Sequence, residues 1–422
     1  QTTLRKNRRI RILIKLRSYQ KTIVKTAIPV LKKHRFLYLA MEVRTGKTLT
    51  SLSMSSLLPV QNLLFITKKK AISSIQDDYD KLNPSFDITV INYESLHKLP
   101  ELKFDMIICD EAHGMGAFPK PSRRAKQVKS LILFHKPFVI LLSGTPTPES
   151  YSQMYHQVYG ISDNPFKKFK NFYAFAYEHV DIKKKYISSM PINDYSHGKE
   201  SIIHLMKPYT ISYTQKEAGF KVETNEEIIN VEMNKITYMV INKLKKDLVV
   251  EGKDHVILAD TGVKLMSKLH QLFSGTVKFE EGGSMVLDYK KAESIYFKFR
   301  NQKIAIFYKF KEELNAIKSV YRDEICTEVD EFNSTDKSIA LQIVSGREGI
   351  SLRKATAIVY YNIDFSATSY WQSRDRMTTK DRKYNKIYWV FANKGIEKEI
   401  YKTVIKKKDY TLRHFNRDLL SL

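Results

Sequence analysis

Residues 36–48 read FLYLAMEVRTGKT, a short apolar run that passes directly into a polar loop. The run 36–40 predicts a buried β-strand, and the segment that opens at Thr48 predicts a helix. Short apolar runs alternate with helix-length amphipathic segments along most of the chain. This alternation is typical of parallel sheets that helices cover on both faces.

The apolar runs that predict strands fall into two groups. The first group comprises 36–40, 62–66, 87–91, 106–109 and 138–142, and the second comprises 303–308, 339–344, 357–361 and 387–391. Each group can build one sheet, because each is interrupted by segments of helical length. We therefore predict an α/β fold with two parallel-sheet domains in tandem.

The loop Arg44-Thr45-Gly46-Lys47-Thr48 has the residue order of a phosphate-binding loop. In such a loop, backbone N–H groups and a helix N-terminus face the phosphates, the lysine reaches the β and γ oxygens, and the last hydroxyl holds Mg²⁺. Met41 stands where the full Walker A pattern begins with glycine. The loop predicts an ATP site in which Thr48 is a ligand of Mg²⁺.

Two further polar motifs follow predicted strands. After strand 106–109, Asp110 would join the Mg²⁺ shell and Glu111 would orient and deprotonate the attacking water. His113 is a candidate link between the nucleotide and the rest of the protein. After strand 138–142, Ser143-Gly144-Thr145-Pro146 emerges at the carboxyl edge of the sheet, where ligands of open α/β sheets bind. A sensor of nucleotide state fits this position better than a bare turn.

The chain is strongly basic. It has 71 Lys and Arg against 45 Asp and Glu, a formal charge of +26, and a pI near 9.6. Such an excess favours polyanions through counterion release, so nucleic acid is the leading partner, and the alternative is that the lysines only keep a large protein soluble. Nothing in the apolar pattern predicts a membrane segment or a secretory signal.

Cysteine usage is sparse. The two cysteines, Cys109 and Cys326, stand in no CxxC or Cys/His spacing. We expect neither a disulfide framework nor a zinc module, and a reducing, cytoplasmic compartment of a bacterium or of a virus-infected cell.

These motifs, in this order, resemble those of the superfamily 2 DExx-box (DEAH) helicases, and within them the Snf2-like branch and its compact phage-encoded relatives. The resemblance runs from about residue 12 to 410 and implies two RecA-like lobes with an insertion between them. The implied organisation is a basic extension at 1–11, an ATP-binding lobe at 12–160, a linker or brace at 161–225, a second lobe at 226–410 and a tail at 411–422.

In the first lobe the resemblance implies two sets of contacts. Arg17 and Gln20 match the element that reads the adenine base. The residues that would also contact the nucleotide are Arg44, Thr45, Gly46, Lys47, Thr48 and His113. Those that would contact nucleic acid are Lys68, Lys69, Asn92, Tyr93 and Thr145.

In the second lobe, 345–352 resembles motif V and 372–376 resembles motif VI. The implied contacts are Ser345, Gly346 and Arg347 with nucleic acid, Gly349 with the nucleotide, and Gln372 and Arg376 in catalysis. Arg376 would be the arginine finger that stabilises charge on the γ-phosphate. Thr379 stands where the family has a second arginine, so Arg374 or Arg382 would compensate. Alternatively, Arg374 and Arg376 are surface phosphate contacts.

Lysines and aromatic residues alternate within 161–225. Rings at Phe166, Phe169, Phe172 and Tyr173 lie among Lys167, Lys168 and Lys170. Such rings either stack on unpaired bases or fill a core that solvated charges flank.

The implied activity is that of an ATP- and Mg²⁺-dependent DNA helicase or translocase. It would unwind or branch-migrate forked or branched DNA in replication, recombination or repair. The alternatives are a translocase that moves on duplex DNA without separating it, an RNA helicase and a catalytically silent nucleic-acid clamp. The last is disfavoured because a clamp has no reason to retain Lys47, Thr48, Asp110, Glu111 and Arg376 together.

Overall fold

The computed structural model of the protein describes residues 15–187, 190–219, 223–252, 255–343, 350, 352–364, 373, 375–377 and 384–408. The chain divides into two compact units between Ala218 and Gly219, which we call unit 1 and unit 2. Among the described residues, no helix combines the length and the hydropathy that crossing a bilayer requires.

Unit 1 is built on one parallel sheet of six strands, in the order β3-β2-β4-β5-β1-β8. The strands of this sheet are β1 (Phe36–Met41), β2 (Asn62–Thr67), β3 (Asp87–Asn92), β4 (Met106–Cys109), β5 (Phe138–Leu142) and β8 (Thr210–Tyr213). A separate hairpin is formed by β6 (Lys183–Ile187) and β7 (Met190–Asp194). The α-helices of unit 1 are α1 (Ser18–His34), α2 (Lys47–Ser55), α3 (Ile72–Leu82), α4 (Arg123–His135), α5 (Met154–Val158), α6 (Phe172–His179) and α7 (Ser201–Met206).

The central strands of unit 1 are apolar because both of their faces are covered. In β1, Phe36 and Tyr38 belong to the core on one side of the sheet, whereas Leu37 and Leu39 belong to the core on the other side. Successive side chains of a strand point to opposite faces, so a strand between two helical layers needs an unbroken apolar run. The strands β1 to β5 lie where the apolar runs predict them.

Unit 2 repeats this design with a parallel sheet in the order β15-β16-β14-β17-β18-β9. Its strands are β9 (Glu223–Val231), β10 (Val249–Glu251), β11 (Val256–Leu258), β12 (Thr276–Lys278), β13 (Ser284–Val286), β14 (Ala305–Tyr308), β15 (Ile325–Cys326), β16 (Ser338–Gln342), β17 (Ile358–Tyr360) and β18 (Tyr384–Ala392). Its α-helices are α8 (Lys235–Asp247), α9 (Gly262–Phe273), α10 (Lys290–Lys298), α11 (Lys311–Tyr321), α12 (Val329–Ser334) and α13 (Glu397–Lys408). The predicted α/β fold with two tandem RecA-like lobes is confirmed.

A buried ion pair joins several elements of unit 2. Lys291 and Glu397 are both 0 % exposed, and their Nζ and Oε1 atoms lie 2.8 Å apart. The Lys291 ammonium also donates to the carbonyl of Tyr361 at 3.4 Å, and the Glu397 carboxylate accepts from the backbone N–H of Ala392 at 3.4 Å. The pair therefore links α10 and α13 to the ends of β17 and β18.

The structure divides the segment 161–225 differently from the prediction. Residues up to Ala218 belong to unit 1, whereas β9 is the edge strand of the sheet in unit 2. Phe166, Phe169 and Phe172 are at most 9 % exposed and lie in the core cluster that includes alternate residues of β1. The phenylalanines of this aromatic stretch therefore fill a core, which is one of the two alternatives that the sequence leaves open.

Candidate nucleotide site

The loop between β1 and α2 has a backbone that only glycine suits at one point. Gly46 has φ 84°, in the left-handed region, and a Cβ built there would lie 2.5 Å from Nε2 of Gln20. Thr45 is fully buried, and its backbone N–H and hydroxyl both donate to the carbonyl of Glu42. The Lys47 ammonium donates to the carbonyl of Met41 at 3.1 Å. The loop thus folds back on the end of β1 and begins a helix at Lys47, the arrangement that favours a bound phosphate.

Residues at the start of α1 hold this loop from the other side. Gln20 is 3 % exposed, and its amide donates to the carbonyl of Gly46 at 3.3 Å and to the hydroxyl of Thr50 at 3.2 Å. Its side-chain oxygen accepts from the N–H of Arg17 at 2.9 Å. Reading an adenine would require Gln20 to exchange these bonds, so that role stays a prediction. Tyr19 also holds the loop, because its hydroxyl donates to the carbonyl of Thr45 at 2.9 Å.

The end of β4 presents the two acidic residues. The Thr67 hydroxyl, at the end of the neighbouring strand β2, donates to Oδ2 of Asp110 at 2.9 Å. The backbone N–H of Asp110 donates to the carbonyl of Ile66 at 2.8 Å. Glu111 has φ 48° and ψ 47°, which turns the chain sharply after the strand. Asp110 is therefore held at the carboxyl end of β4, and Glu111 projects from the turn that follows it.

Electrostatics place the loop and the acidic pair in one site. Burial and the neighbouring charge of Glu111 raise the pKa of Asp110 to about 6, and the Lys47 ammonium opposes that rise. Two adjacent carboxylates repel each other, and a divalent cation would relieve this repulsion. Oxygen ligands such as a carboxylate and a threonine hydroxyl are those that Mg²⁺ prefers. Asp110 and Thr48 have the chemistry that would hold Mg²⁺, and their role as its ligands stays a prediction.

The turn after β5, which contains Ser143, Gly144 and Thr145, lies beside the acidic motif and the phosphate-binding loop. Nδ1 of His113 lies 3.1 Å from the hydroxyl oxygen of Ser143 and 3.4 Å from Oε2 of Glu111. The hydroxyl of Ser143 also accepts from the N–H of Thr145 at 3.1 Å. At Gly144 a Cβ would lie 3.5 Å from Nζ of Lys47. The three predicted motifs of unit 1 therefore meet at the carboxyl ends of β1, β4 and β5.

The nucleic-acid candidates of unit 1 differ in exposure. Lys69 is exposed, and Lys68, Asn92 and Thr145 are half-buried; Asn92 is the last residue of β3, and the other three follow the carboxyl ends of β2 and β5. Tyr93 is 2 % exposed, and its hydroxyl donates to the carbonyl of Asp110 at 2.7 Å. The Tyr93 side chain thus supports the acidic motif from within the core, and the contact of Tyr93 with nucleic acid stays a prediction.

The sequence indicates neither the hydrogen bond of Thr67 to Asp110 nor that of Tyr19 to the loop. Thr67 precedes Asp110 by 43 residues, and only the pairing of Ile66 with Cys109 brings the two strand ends together. The one signal in the sequence is that Thr67 directly follows the predicted strand 62–66. It becomes informative only when the neighbouring strand is known.

In unit 2, the described part of the predicted motifs centres on Arg376. This arginine is 7 % exposed, its guanidinium donates to the carbonyl of Ile350 at 3.4 Å, and its own carbonyl accepts from the N–H of Leu352 at 3.0 Å. The structure thus connects the end of the motif V segment with motif VI. Ser345, Gly346, Arg347, Gly349 and Gln372 lie outside the described residues.

A pH dependence follows from the raised pKa of Asp110. Protons compete with Mg²⁺ for this carboxylate, so we expect the affinity for Mg²⁺–nucleotide to fall as the pH drops below about 6, approaching about tenfold for each pH unit. Isothermal titration from pH 7.5 to 5 would measure it, and the Asp110→Asn protein, which lacks this step, reports the nucleotide's own protonation. Equal pH profiles for the two proteins would contradict the expectation.

Protonation of Asp110 does not unfold the protein, so unfolding through this group cannot account for a loss of nucleotide affinity at low pH. The pKa of this group in the folded protein lies above its ordinary value of 3.8. Burying the charge therefore costs folding stability above about pH 6, and that cost is removed as the pH falls. Circular dichroism at each pH would verify that the protein remains folded.

Parallel strands that carry a phosphate-binding loop after one strand and an acidic pair after another define the class of P-loop nucleotide-binding proteins. Within this class, the family model for the SNF2-related domain matches residues 63–281, which is more than half of the chain. The chain belongs to the SNF2-related family. Membership implies a nucleic-acid-stimulated ATPase that uses ATP, generally with Mg²⁺.

Two solved structures from Sulfolobus solfataricus are similar to the chain. The SWI2/SNF2 ATPase core in complex with dsDNA has 16 % sequence identity and a TM-score of 0.42, over 96 % of this chain and 93 % of that one. The SWI2/SNF2 ATPase core domain has 16 % identity and a TM-score of 0.37, over 94 % and 90 % of the two chains. No curated protein matches the chain. The family assignment rests on the SNF2-related domain.

Proposed function

We propose that this protein is an ATP-driven motor that moves on DNA. The observation that carries the proposal is the meeting of Lys47, Asp110, Glu111, His113 and Ser143 at one sheet edge. A phosphate-binding lysine, a metal-binding carboxylate and a candidate general base are the parts that hydrolysis of a phosphoanhydride needs. A charge of +26 supports a polyanionic track.

The proposed hydrolysis assigns one task to each residue. Lys47 binds the β and γ oxygens, and Asp110, held by Thr67, fixes the cation. Mg²⁺, when bound there, would supply positive charge that neutralises the charge developing on the phosphates. Glu111 orients a water molecule and takes its proton as the water oxygen bonds to the γ-phosphorus. The bond from that phosphorus to the bridging oxygen breaks, which releases ADP and phosphate.

Residues next to the acidic turn are proposed to couple hydrolysis to movement. His113 contacts both Glu111 and Ser143. A change at Glu111, the proposed general base, would therefore alter the position of the turn that carries Thr145. Lys68, Lys69 and Thr145 follow strands at this carboxyl edge, and Asn92 ends β3 there. We place the nucleic-acid backbone against these residues.

The second lobe is proposed to complete the reaction. Arg376 would stabilise charge on the γ-phosphate, for which an arginine suits better than a lysine because its planar guanidinium is always charged and donates several hydrogen bonds. Gln372 and Gly349 are proposed at the nucleotide, and Ser345, Gly346 and Arg347 at the nucleic-acid backbone. These assignments are supported by the likeness of the two segments to motifs V and VI.

The finer activity we propose is unwinding or branch migration of forked or branched DNA in replication, recombination or repair. It is supported by likeness to compact helicases, including phage-encoded ones, in the sequence motifs. The runner-up is translocation on duplex DNA without strand separation.

The steady-state ATPase rate tests this proposal directly. It would be measured with no nucleic acid, then with single-stranded DNA, forked DNA, a four-way junction, blunt duplex and RNA at one salt concentration, because affinity for nucleic acid depends steeply on salt. We expect the largest stimulation by forked or four-way DNA. Stimulation by blunt duplex alone would favour the duplex translocase. Stimulation by RNA alone would overturn the DNA assignment. If none of these nucleic acids stimulates the ATPase, the proposal that the protein is a nucleic-acid motor is refuted.

A further inference from the structure

The helix α6 has two faces of opposite character. Phe172 and Phe175 are at most 2 % exposed and pack in the core of unit 1. Tyr173 is 49 % exposed and Tyr177 is 85 % exposed. Residues four apart share one face of a helix, so the two tyrosines form an aromatic face turned to solvent. None of the residues in the nucleotide site belongs to it.

This aromatic face continues onto the hairpin formed by β6 and β7. The ring of Tyr173 lies 5.9 Å from that of Tyr195, and the hydroxyl of Tyr195 accepts from Nδ2 of Asn193 at 3.3 Å. Asn193 is the cross-strand partner of Lys184, and cross-strand partners share one face of a hairpin. The surface therefore runs from two exposed rings to an exposed lysine.

The charge of this surface is uncompensated. Nearby carboxylates are already paired: Asp163 with Lys167 at 2.7 Å, Glu178 with Lys168 at 2.9 Å and Asp181 with Lys199 at 3.5 Å. By contrast, the exposed lysines 170 and 184 make no ion pair with a carboxylate among the side chains that the structure describes. The surface is cationic as well as aromatic, and its ligand should be an anion that offers flat faces.

We propose that this surface, defined by Tyr173, Tyr177, Lys170 and Lys184, binds single-stranded nucleic acid. Bases stack on the two tyrosines and phosphates lie against the lysines, which is how many proteins bind unpaired strands without sequence preference. Four residues of helix rise about 6 Å, whereas bases in a duplex repeat every ~3.4 Å and cover one another. Only an unpaired strand can open its bases to this spacing.

The binding needs neither ATP nor the proposed motor. It would be measured as fluorescence anisotropy of a labelled oligothymidylate and of a duplex, without nucleotide. If the protein binds the oligothymidylate but has no ATPase activity, only the proposed function is refuted. If it has ATPase activity but does not bind the oligothymidylate, only this inference is refuted.

The stacking is tested with a pair of substitutions at one position. Tyr177→Leu keeps an apolar side chain without a ring, and we expect its affinity for the oligothymidylate to fall by at least about fivefold. Tyr177→Phe keeps the ring, and its affinity should stay within about twofold of the parent's. Phe134→Leu is the matched control, because Phe134 is 80 % exposed on α4; it should leave the affinity unchanged, and duplex binding should respond to none of the three.

The lysines are tested through the dependence of binding on salt. The double substitution Lys170→Gln/Lys184→Gln should lower the slope of log affinity against log salt concentration by about 1.4 for a single strand, or about 0.7 for each phosphate contact. Lys32→Gln/Lys33→Gln is the matched control, since these exposed lysines lie at the end of α1, next to the amino end of β1. Its slope should equal that of the parent protein.

Three results would overturn the inference. One is equal affinity of the Tyr177→Leu and parent proteins, and another is an equal loss in Tyr177→Leu and Tyr177→Phe. The third is a polyglutamate peptide that binds more tightly than the oligothymidylate and depends on the same tyrosines, which would make the surface a site for an acidic protein segment. Unchanged thermal midpoints would establish that all the variants fold.

Discussion

The Glu111→Gln protein is expected to bind ATP and to hydrolyse it about 10²- to 10⁴-fold more slowly than the parent protein. Glutamine has nearly the same size and can still accept a hydrogen bond, but it cannot take a proton from water. The side chain stands at the turn after β4, with Oε2 3.4 Å from Nδ1 of His113. Binding of a fluorescent ATP analogue and single-turnover hydrolysis would separate the two effects.

Glu94→Gln is the matched control for this substitution. Glu94 is an exposed carboxylate of the same unit, and it pairs with Arg124. We expect its turnover to stay close to that of the parent protein, because a surface ion pair contributes little. Normal turnover in Glu111→Gln would remove the general-base assignment, and loss of ATP binding would indicate a structural role for Glu111 instead.

The sequence predicts the parts of the site that lie close together in the chain. Residues 44–48 and the pair Asp110–Glu111 are recognisable because each follows an apolar strand and each motif is contiguous. The contacts that hold them are not contiguous. Thr67 reaches Asp110 from the neighbouring strand, and Gln20 reaches Gly46 from a different helix. Such partners depend on the strand order, which a single sequence does not reveal.

The edge strands show a second reason why prediction fails. β8 is half-buried along its length, and β9 reads ETNEEIINV, with exposed glutamates. A strand with one open edge and a wetted face needs no unbroken apolar run, so the signal that locates β1 and β4 is absent. The apolar pattern therefore predicts neither β8, which lies within 161–225, nor β9, which begins at Glu223.

The Lys291→Met protein is expected to lose about 3–5 kcal/mol of the free energy of unfolding of unit 2. Removing the ammonium leaves the carboxylate of Glu397 buried without a counter-ion, since both side chains are 0 % exposed. The site is tightly closed, because a Cβ at Gly395 would overlap Oε2 of Glu397 at 1.9 Å. Urea unfolding followed by tryptophan fluorescence measures the effect, because both tryptophans of the chain belong to unit 2.

Two further proteins show whether the cost arises from an unpaired charge. Lys290→Met alters the neighbouring lysine, which is exposed and pairs with Glu293 at the surface, and should change the free energy of unfolding by at most about 0.5 kcal/mol. The double substitution Lys291→Met/Glu397→Leu removes both charges and should recover most of the loss, because apolar replacement of a whole buried pair is often neutral. If the double variant were as unstable as Lys291→Met, the loss would come from altered packing. In that case the pair would serve to fill space between α10 and α13, and its charges would contribute little.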